Sequence, residues 1–350
     1  MLTHLTEFVP PRGLRSPHVQ SLLSSSPVRR RVARRWSVAL RAVEQALVLD
    51  GGEGVRLQGF YSAQAHAGEG ARSSRGLVVL LHGWEGSVNS NYVLSNGARL
   101  FAAGFDVFRL NFRDHGDTHH LNPGIFHSCR LEEVIRALAD LQDRCGSEPW
   151  CLAGYSLGGN FALRVALNAE RGGLRLRQVV SVCPVIDPAR AMRAMEQGIR
   201  FYERYFDRKW SRSLRIKQKS FPELYGDSKW NDFHGLRART HYLATRYAGF
   251  ADADSYFAGY SIAGDRLSSL GVPALVLSAA DDPVVPVADY YALPDNPRLE
   301  ILLTNYGGHC GFLKNWKLES LAEDLMLDRM LRTTGATAEP RGAIEKSWSG

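Results

Sequence analysis

The hexapeptide Gly154-Tyr155-Ser156-Leu157-Gly158-Gly159 lies where the sequence changes from a strand pattern to a helix pattern. A short apolar run at 149–153 precedes it, and residues 160–167 follow with apolar side chains at helical spacing. This context is typical of a nucleophile elbow, a sharp strand-to-helix turn that exposes a serine hydroxyl. Such a turn is strained and brings backbones close together, so glycine is expected on both sides of Ser156.

Strand and helix patterns alternate on both sides of this turn. Helix patterns cover about 92–103, 131–144 and 316–331, and apolar runs typical of buried strands lie at 77–81, 105–110, 179–183, 273–278 and 299–303. The alternation predicts right-handed βαβ units and an α/β fold with a mostly parallel sheet flanked by helices. Residues 36–61 have the pattern of antiparallel strands, and residues 1–27 resemble an extended arm.

The alternation stops at Pro184 and resumes near residue 271, an interruption of roughly eighty residues that is far longer than an ordinary loop. We therefore predict an N-terminal arm (1–35), an α/β core (36–183 and 271–332), a helical cap insertion (184–270) and a flexible tail (333–350). The cap would cover the carboxyl ends of the strands, where open α/β sheets bind ligands. Its aromatic residues Phe201, Tyr205 and Trp210, with Tyr155 of the elbow, are predicted to line a substrate pocket.

Acidic residues and a histidine follow the last two core strands. A serine hydroxyl is a weak nucleophile until a base takes its proton, and the base needs an orienting acid. Asp281 and Asp282 follow the strand at 273–278, and His309 follows the strand at 299–303 in a glycine-rich loop. The order Ser, Asp, His is the one this kind of fold uses. We assign Ser156 as nucleophile, His309 as base and Asp282, four residues before Pro286, as acid; Asp281 is the alternative.

Two backbone N–H groups are predicted to form an oxyanion hole. Leu157 begins a helix, where N–H groups point outward, and Trp84 follows the first buried strand, from which the second donor is expected. His82 is expected to brace that loop. No metal or other cofactor is predicted, because the spacing fits no known site in the polar group of His115, His119, His120, His127, Asp114 and Asp117. Cys310 is expected to be a small buried residue.

Composition limits the class of protein. The chain has 350 residues, 45% of them hydrophobic, which suits one α/β domain with an insertion. Five cysteines without metal-type spacing argue against a disulfide framework, and with no signal peptide or membrane-spanning run we expect a cytoplasmic protein. The net charge of +7 is partly concentrated at 29–35 and 208–219. No nucleic-acid module accompanies these runs, which are expected to be solvated faces, with weak peripheral membrane contact left open.

Five stretches together resemble the YheT-like family of α/β-hydrolases, also called AB hydrolase type four: HGWEGS at 82–87, NFRDHGD at 111–117, GYSLGGN at 154–160, DDP at 281–283 and GGHCGF at 307–312. The resemblance covers most of residues 10–330. It implies a serine carboxylic-ester hydrolase with Ser156, Asp282 and His309 as charge-relay triad, acting on medium- or short-chain esters or acylglycerols. Relatives often have R-G-x-G where this chain has RDHG at 113–116, which affects the expected pocket shape. Eukaryotic relatives often carry an N-terminal membrane anchor, which we do not expect here.

Two alternatives to ester hydrolysis remain open at this point. The same triad could serve a thioesterase, an amidase or a lactonase. A binding protein could also retain the fold without catalysis. Acyl-chain length, the alcohol and the oligomeric state do not follow from the residues.

Overall fold

The computed structural model describes residues 1–64, 74–145, 148 and 150–335. Within them, the strands are β1 Leu2–Leu5, β2 Glu44–Asp50, β3 Arg56–Ser62, β4 Leu77–Leu81, β5 Asp106–Leu110, β6 Trp150–Tyr155, β7 Leu176–Val182, β8 Ala274–Ala279 and β9 Leu299–Thr304. The helices are α1 Pro17–Ser24, α2 Pro27–Trp36, α3 Val38–Ala42, α4 Asn91–Ala102, α5 Leu131–Arg144, α6 Leu157–Leu167, α7 Pro188–Gln197, α8 Arg200–Ser220, α9 Pro222–Tyr225, α10 Leu236–Tyr247, α11 Ala253–Tyr260, α12 Ala288–Tyr291 and α13 Leu321–Thr333.

The strands form one sheet in the order β1-β9-β8-β7-β6-β4-β5-β3-β2. β2 pairs with β3 and β3 with β5 in antiparallel fashion, and the other neighbours are parallel. The predicted mostly parallel sheet is therefore confirmed. β4 and β6 are buried along their whole length, as expected of strands covered on both faces.

Helices cover both faces of the sheet. Alternate residues of β4 enter different cores: Val78 and Leu80 pack toward α4 and α13, whereas Val79 packs toward α5 and α6. α5 has the bounds predicted from its periodicity. Its acidic first turn, Glu132 and Glu133, complements the helix dipole. These packed layers hold the carboxyl ends of β4, β6, β8 and β9 at one edge, where the candidate site lies.

The N-terminal segment does not form the extended arm that the sequence predicted. β1 pairs in parallel with β9 at the edge of the sheet, and α1 and α2 pack beside the core. The prediction relied on Ser and Pro content, but Ser16-Pro17 and Ser26-Pro27 are helix starts, with proline at the first position. Arg29 of α2 is 3% exposed and pairs with buried Glu323 of α13, so it is not solvated.

The helical segment also extends further along the chain than predicted. Helices α2 and α3 occupy residues up to Ala42, so the antiparallel pair begins at Glu44 rather than near residue 36. At the other end, α13 reaches Thr333, and most of the predicted flexible tail lies outside the described residues. No helix in the described ranges is both long and apolar enough to span a bilayer.

Helices α7 to α11 occupy the segment between β7 and β8 for which a cap was predicted. A buried lysine joins it to the core: Lys217 Nζ donates to Asp114 Oδ1 at 2.8 Å and to the His119 carbonyl at 3.2 Å. Asn160 of α6 donates to the carbonyls of Val185 and Tyr260, at either end of the segment. The boundary between core and cap stays a prediction.

Candidate active site

Ser156 connects β6 to α6 in a conformation that non-glycine residues rarely adopt, with φ 54° and ψ −118°. The surrounding backbone leaves no room for side chains. A Cβ at Gly154 would lie 2.2 Å from the carbonyl oxygen of Gly158, and a Cβ at Gly158 would lie 2.4 Å from that of His82. Close backbone approach therefore accounts for both glycines, as expected for an elbow.

Three side chains from separate loops form a hydrogen-bonded chain. The Ser156 Oγ lies 2.9 Å from His309 Nε2, and His309 Nδ1 lies 2.9 Å from Asp282 Oδ2. Asp282 Oδ1 accepts the N–H groups of Val284 and Val285, which fixes the carboxylate. Asp281 points elsewhere and accepts the N–H of Gly308 at 2.8 Å.

The electrostatic environment of His309 favours its charged form. Burial, the largest single influence, would lower its pKa, but the Asp282 carboxylate beside Nδ1 and the neighbouring Cys310 sulfur together outweigh burial and raise the pKa well above 6.5. In the neutral imidazole, with Nδ1–H donating to Asp282, the lone pair of Nε2 faces the Ser156 hydroxyl. The arrangement can accept a proton from Ser156 and stabilise the imidazolium that results.

Trp84, Ser156 and Leu157 all line one cavity. Within the described part of the chain, neither the Trp84 N–H nor the Leu157 N–H has a hydrogen-bond acceptor. The Trp84 indole stacks on Phe206 with ring centroids 5.2 Å apart. Lys209 Nζ donates to the neighbouring Glu85 carbonyl at 3.0 Å, so α8 holds this loop from above.

Two histidines brace the loop after β4. Nδ1 of His82 lies 2.8 Å from the carbonyl oxygen of Gly83, and Nε2 of His82 accepts the N–H of Phe112. Burial lowers the pKa of His82 to about 4, so it is neutral. His115 Nε2 accepts the N–H of Glu85 at 3.1 Å. His82 thus occupies the bracing position that we expected.

The histidines of the polar group at 114–127 lie in separate places. His119 Nε2 contacts Ser213 Oγ, and His127 lies against Phe250 and Tyr256.

A different set of potential metal ligands comes close together. Sγ of Cys183, Sγ of Cys310 and a ring nitrogen of His309 lie within 4.8 Å of one another, and all three are ligand types that zinc accepts. Because both His309 nitrogens already bind Ser156 and Asp282, a metal there would replace those bonds.

A largely apolar cavity of about 910 Å³, including its open mouth, extends from Ser156 to helices α7, α8 and α10. α7 contributes Met192 and Met195, α8 contributes Phe206 and Trp210, and α10 contributes Leu243. No aspartate, glutamate, lysine or arginine is among the described lining residues. The cavity therefore suits a hydrocarbon chain with one end at the serine.

Only Trp210 of the four predicted pocket residues lines this cavity. Tyr155 points to the other face of the sheet, where its hydroxyl accepts a hydrogen bond from Asn96, because side chains alternate along β6. Phe201 is 48% exposed and stacks on Tyr205. Helical periodicity places those two rings on a different side of α8 from Phe206 and Trp210, which are one turn apart.

Sequence reasoning missed the support that α1 gives to the His309 loop. The Ser21 Oγ accepts the N–H of His309 at 2.8 Å, and fully buried Gln20 donates to the carbonyls of Leu14 and Leu313. These contacts join the beginning of the chain to its last loop. No local pattern marks this support, because Leu313 and His309 lie 293 and 288 positions away from Gln20 and Ser21.

Comparison with known proteins agrees with this fold. Residues 76–315 match the model of the alpha/beta hydrolase fold family. YheT of Escherichia coli (strain K12), whose name classes it provisionally as an esterase, is 29% identical over 88% of this chain and 87% of its own. Human phospholipase ABHD3 is 22% identical over 74% of this chain and 64% of its own. The esterase Pf2001 of Pyrococcus furiosus superposes with a TM-score of 0.53 at 15% identity, covering 83% of this chain and 90% of its own.

These matches confirm the resemblance to YheT-like proteins and the predicted fold class. Relatives that are named as esterases, together with the family match, support a hydrolase activity. The chain belongs to the alpha/beta hydrolase fold family.

Proposed function

We propose that this protein is a serine carboxylic-ester hydrolase that forms an acyl-enzyme on Ser156. The observation that carries the proposal is the continuous hydrogen-bonded chain from Ser156 Oγ through His309 to Asp282, opening on an apolar cavity. A histidine oriented in this way can act as general base toward the serine and then as general acid toward the leaving group.

The first half of the reaction transfers the acyl group to the enzyme. Ser156 Oγ attacks the ester carbonyl carbon while its proton moves to His309 Nε2. The tetrahedral intermediate then collapses, its bond to the alcohol oxygen breaks, and the leaving alcohol takes the proton from His309. Water repeats the sequence in the second half: it gives a proton to His309, attacks the acyl carbon, and releases the carboxylic acid and Ser156.

The Trp84 and Leu157 N–H groups are proposed as the oxyanion donors. Both are backbone donors without an acceptor in the described part of the chain, and Leu157 also lies at the N-terminus of α6. Preorganised donors of this kind are worth about 3 to 4 kcal/mol each when the oxyanion forms. The contacts of α8 with the Trp84 loop support the idea that the cap holds this donor in place.

The acyl chain is proposed to occupy the cavity beneath the cap. The walls are mostly apolar and include methionine, leucine and aromatic side chains, and the names of the relatives include both an esterase and a phospholipase. Each methylene buried there stabilises binding by about 0.8 kcal/mol, close to a fourfold gain in kcat/KM. Medium- or short-chain esters or acylglycerols are therefore the expected substrates, with kcat/KM rising until the cavity is full and then falling.

A fluorophosphonate probe and a series of p-nitrophenyl esters test the proposal. The parent protein should be labelled once, on Ser156, and should hydrolyse the esters with a chain-length optimum. Ser156→Ala should abolish both, whereas Cys310→Ser, which removes the other candidate nucleophile beside His309, should leave labelling intact. Labelling that persists in Ser156→Ala, or a folded parent protein that neither reacts with the probe nor hydrolyses any ester, would contradict the proposal.

A further inference from the structure

Helix α8 has two opposite faces with different chemistry. Its inner face carries Phe206 and Trp210, which line the cavity, and Lys217, which is 1% exposed and pairs with Asp114. Its outer face carries basic residues that the proposed reaction does not use. We call them the cationic face of α8: Arg204, Arg208, Arg212, Arg215 and Lys219, all of them exposed.

Helical geometry brings these five side chains into one stripe. At about 100° per residue they fall within an arc of about 80°, and at about 1.5 Å per residue the stripe is about 22 Å long. Phe206, Trp210 and Lys217 lie on the opposite side of the same helix. The stripe is therefore a single surface, separated from the cavity by the thickness of one helix, about 10 Å.

The charges of this stripe are not neutralised by the part of the protein that the structure describes. No acidic group of the described residues lies within ion-pair distance of any of the five. Asp207 on the same helix pairs with Arg239 at 2.7 Å, and Glu203 is about 100° away from the stripe's first arginine. Like charges one turn apart destabilise a helix by a few tenths of a kcal/mol per pair. An external anionic partner would remove that repulsion.

Exposed apolar side chains accompany the cations. Phe201 lies in the same arc and is 48% exposed. Ile216 lies just outside the arc and is 38% exposed. Ile199, just before the helix, is 50% exposed. A helix that carries apolar residues in or next to a row of cations has the pattern of interfacial helices. Such helices insert their apolar groups between anionic lipid headgroups. Nucleic acid would match the charges but would leave both isoleucines in water.

We propose that the cationic face of α8 docks this protein on an anionic lipid bilayer. Because α8 also roofs the cavity, the bound protein would hold its apolar pocket about one helix diameter from the lipid surface. The docking does not depend on the proposed ester hydrolysis, since no residue of the stripe contacts Ser156, His309 or Asp282. Binding and catalysis can therefore fail separately.

Vesicle flotation tests the docking with the full chain carrying Ser156→Ala, so that no lipid is consumed. Phosphatidylcholine vesicles with and without about one third phosphatidylglycerol are compared at low salt. The stripe variant combines Arg204→Gln, Arg208→Gln, Arg212→Gln and Arg215→Gln. A matched control removes the same charge from exposed positions of α2: Arg30→Gln, Arg31→Gln, Arg34→Gln and Arg35→Gln.

The parent protein should bind only the anionic vesicles, and less well as salt rises, because exposed charges are screened. At about 1 kcal/mol per cation, the stripe variant should lose about a hundredfold or more in partition coefficient, and the control less than about threefold. Equal losses in the two variants would mean that net charge alone drives binding and would overturn the proposal. A larger loss of vesicle binding in the α2 variant, or no vesicle binding by the parent protein, would also overturn it. So would a stripe variant that binds vesicles as well as the parent protein does but has lost binding to DNA.

Discussion

Replacing Asp282 by asparagine tests the proposed triad with the least change of shape. Asp282 Oδ1 accepts two backbone N–H groups, from Val284 and Val285, and an amide oxygen can keep both. The amide NH₂ would then replace Oδ2, which lies 2.9 Å from His309 Nδ1. Two donors cannot face each other, so the proton of His309 would move to Nε2. His309 could then no longer accept the proton of Ser156.

The expected loss is about 10⁴-fold in kcat, the size typical of a mis-set tautomer in such triads. At 1.36 kcal/mol per tenfold, this is about 5 kcal/mol of transition-state stabilisation. Stability should change little, since both backbone hydrogen bonds of the loop survive. Esterase kinetics and thermal unfolding of the same preparations measure the two effects.

The pH profile gives an independent signature of the same change. In the parent protein the Asp282 carboxylate raises the pKa of His309, so kcat/KM should increase with pH until that raised pKa is passed. Without the carboxylate the imidazolium is less stable, and the acid limb of the residual activity should move to lower pH. Asp281→Asn is the matched control and should cost less than about tenfold, because an amide oxygen can still accept the Gly308 N–H. If Asp281→Asn is as damaging as Asp282→Asn, the reasoning is wrong.

Three further substitutions probe the cavity, the core and the elbow. Ala244→Phe narrows the cavity and should shift the p-nitrophenyl ester optimum to shorter chains while retaining acetate turnover; an unchanged optimum would place the acyl chain elsewhere. Arg29→Gln removes the buried guanidinium from Glu323, which keeps only the more distant Arg99 at 3.7 Å, and should lower the free energy of unfolding in urea by about 3 kcal/mol, against about 0.5 or less for exposed Arg30→Gln. Gly158→Ala should abolish fluorophosphonate labelling or folding, whereas Gly271→Ala, which meets no atom within 4 Å, should do neither.

The parts of the site that could be predicted from sequence depend on local backbone chemistry. A serine between glycines at a strand-to-helix change predicts an elbow. The glycines are required because carbonyl oxygens of the same turn and of the adjacent loop lie where a Cβ would be. Asp282 and His309 follow strands of a recognisable parallel sheet, so their side chains were expected at one edge. The roles of these residues stay predictions, but their proximity follows from the topology.

The side of helix α8 that lines the pocket could not be predicted, because the helix is aromatic on more than one side. Phe201 and Tyr205 are one turn apart, and so are Phe206 and Trp210; periodicity alone does not tell which pair faces the core. The direction is set by contacts with distant segments, such as Lys217 with Asp114 and Phe206 with Trp84. Tertiary contact of this kind leaves no pattern within the helix itself.

The brace between α1 and the His309 loop has a consequence for the order of events during synthesis. Ser21 and His309 are 288 positions apart, and β1 pairs with β9, the last strand of the sheet. β1 and Ser21 therefore lack these particular partners until the segment from β9 to His309 has been synthesised. Contacts of such separation form slowly, because the loop they close spans 288 positions. The proposed base would thus reach its working position only after the two ends of this loop have come together, and the protein would remain inactive until then.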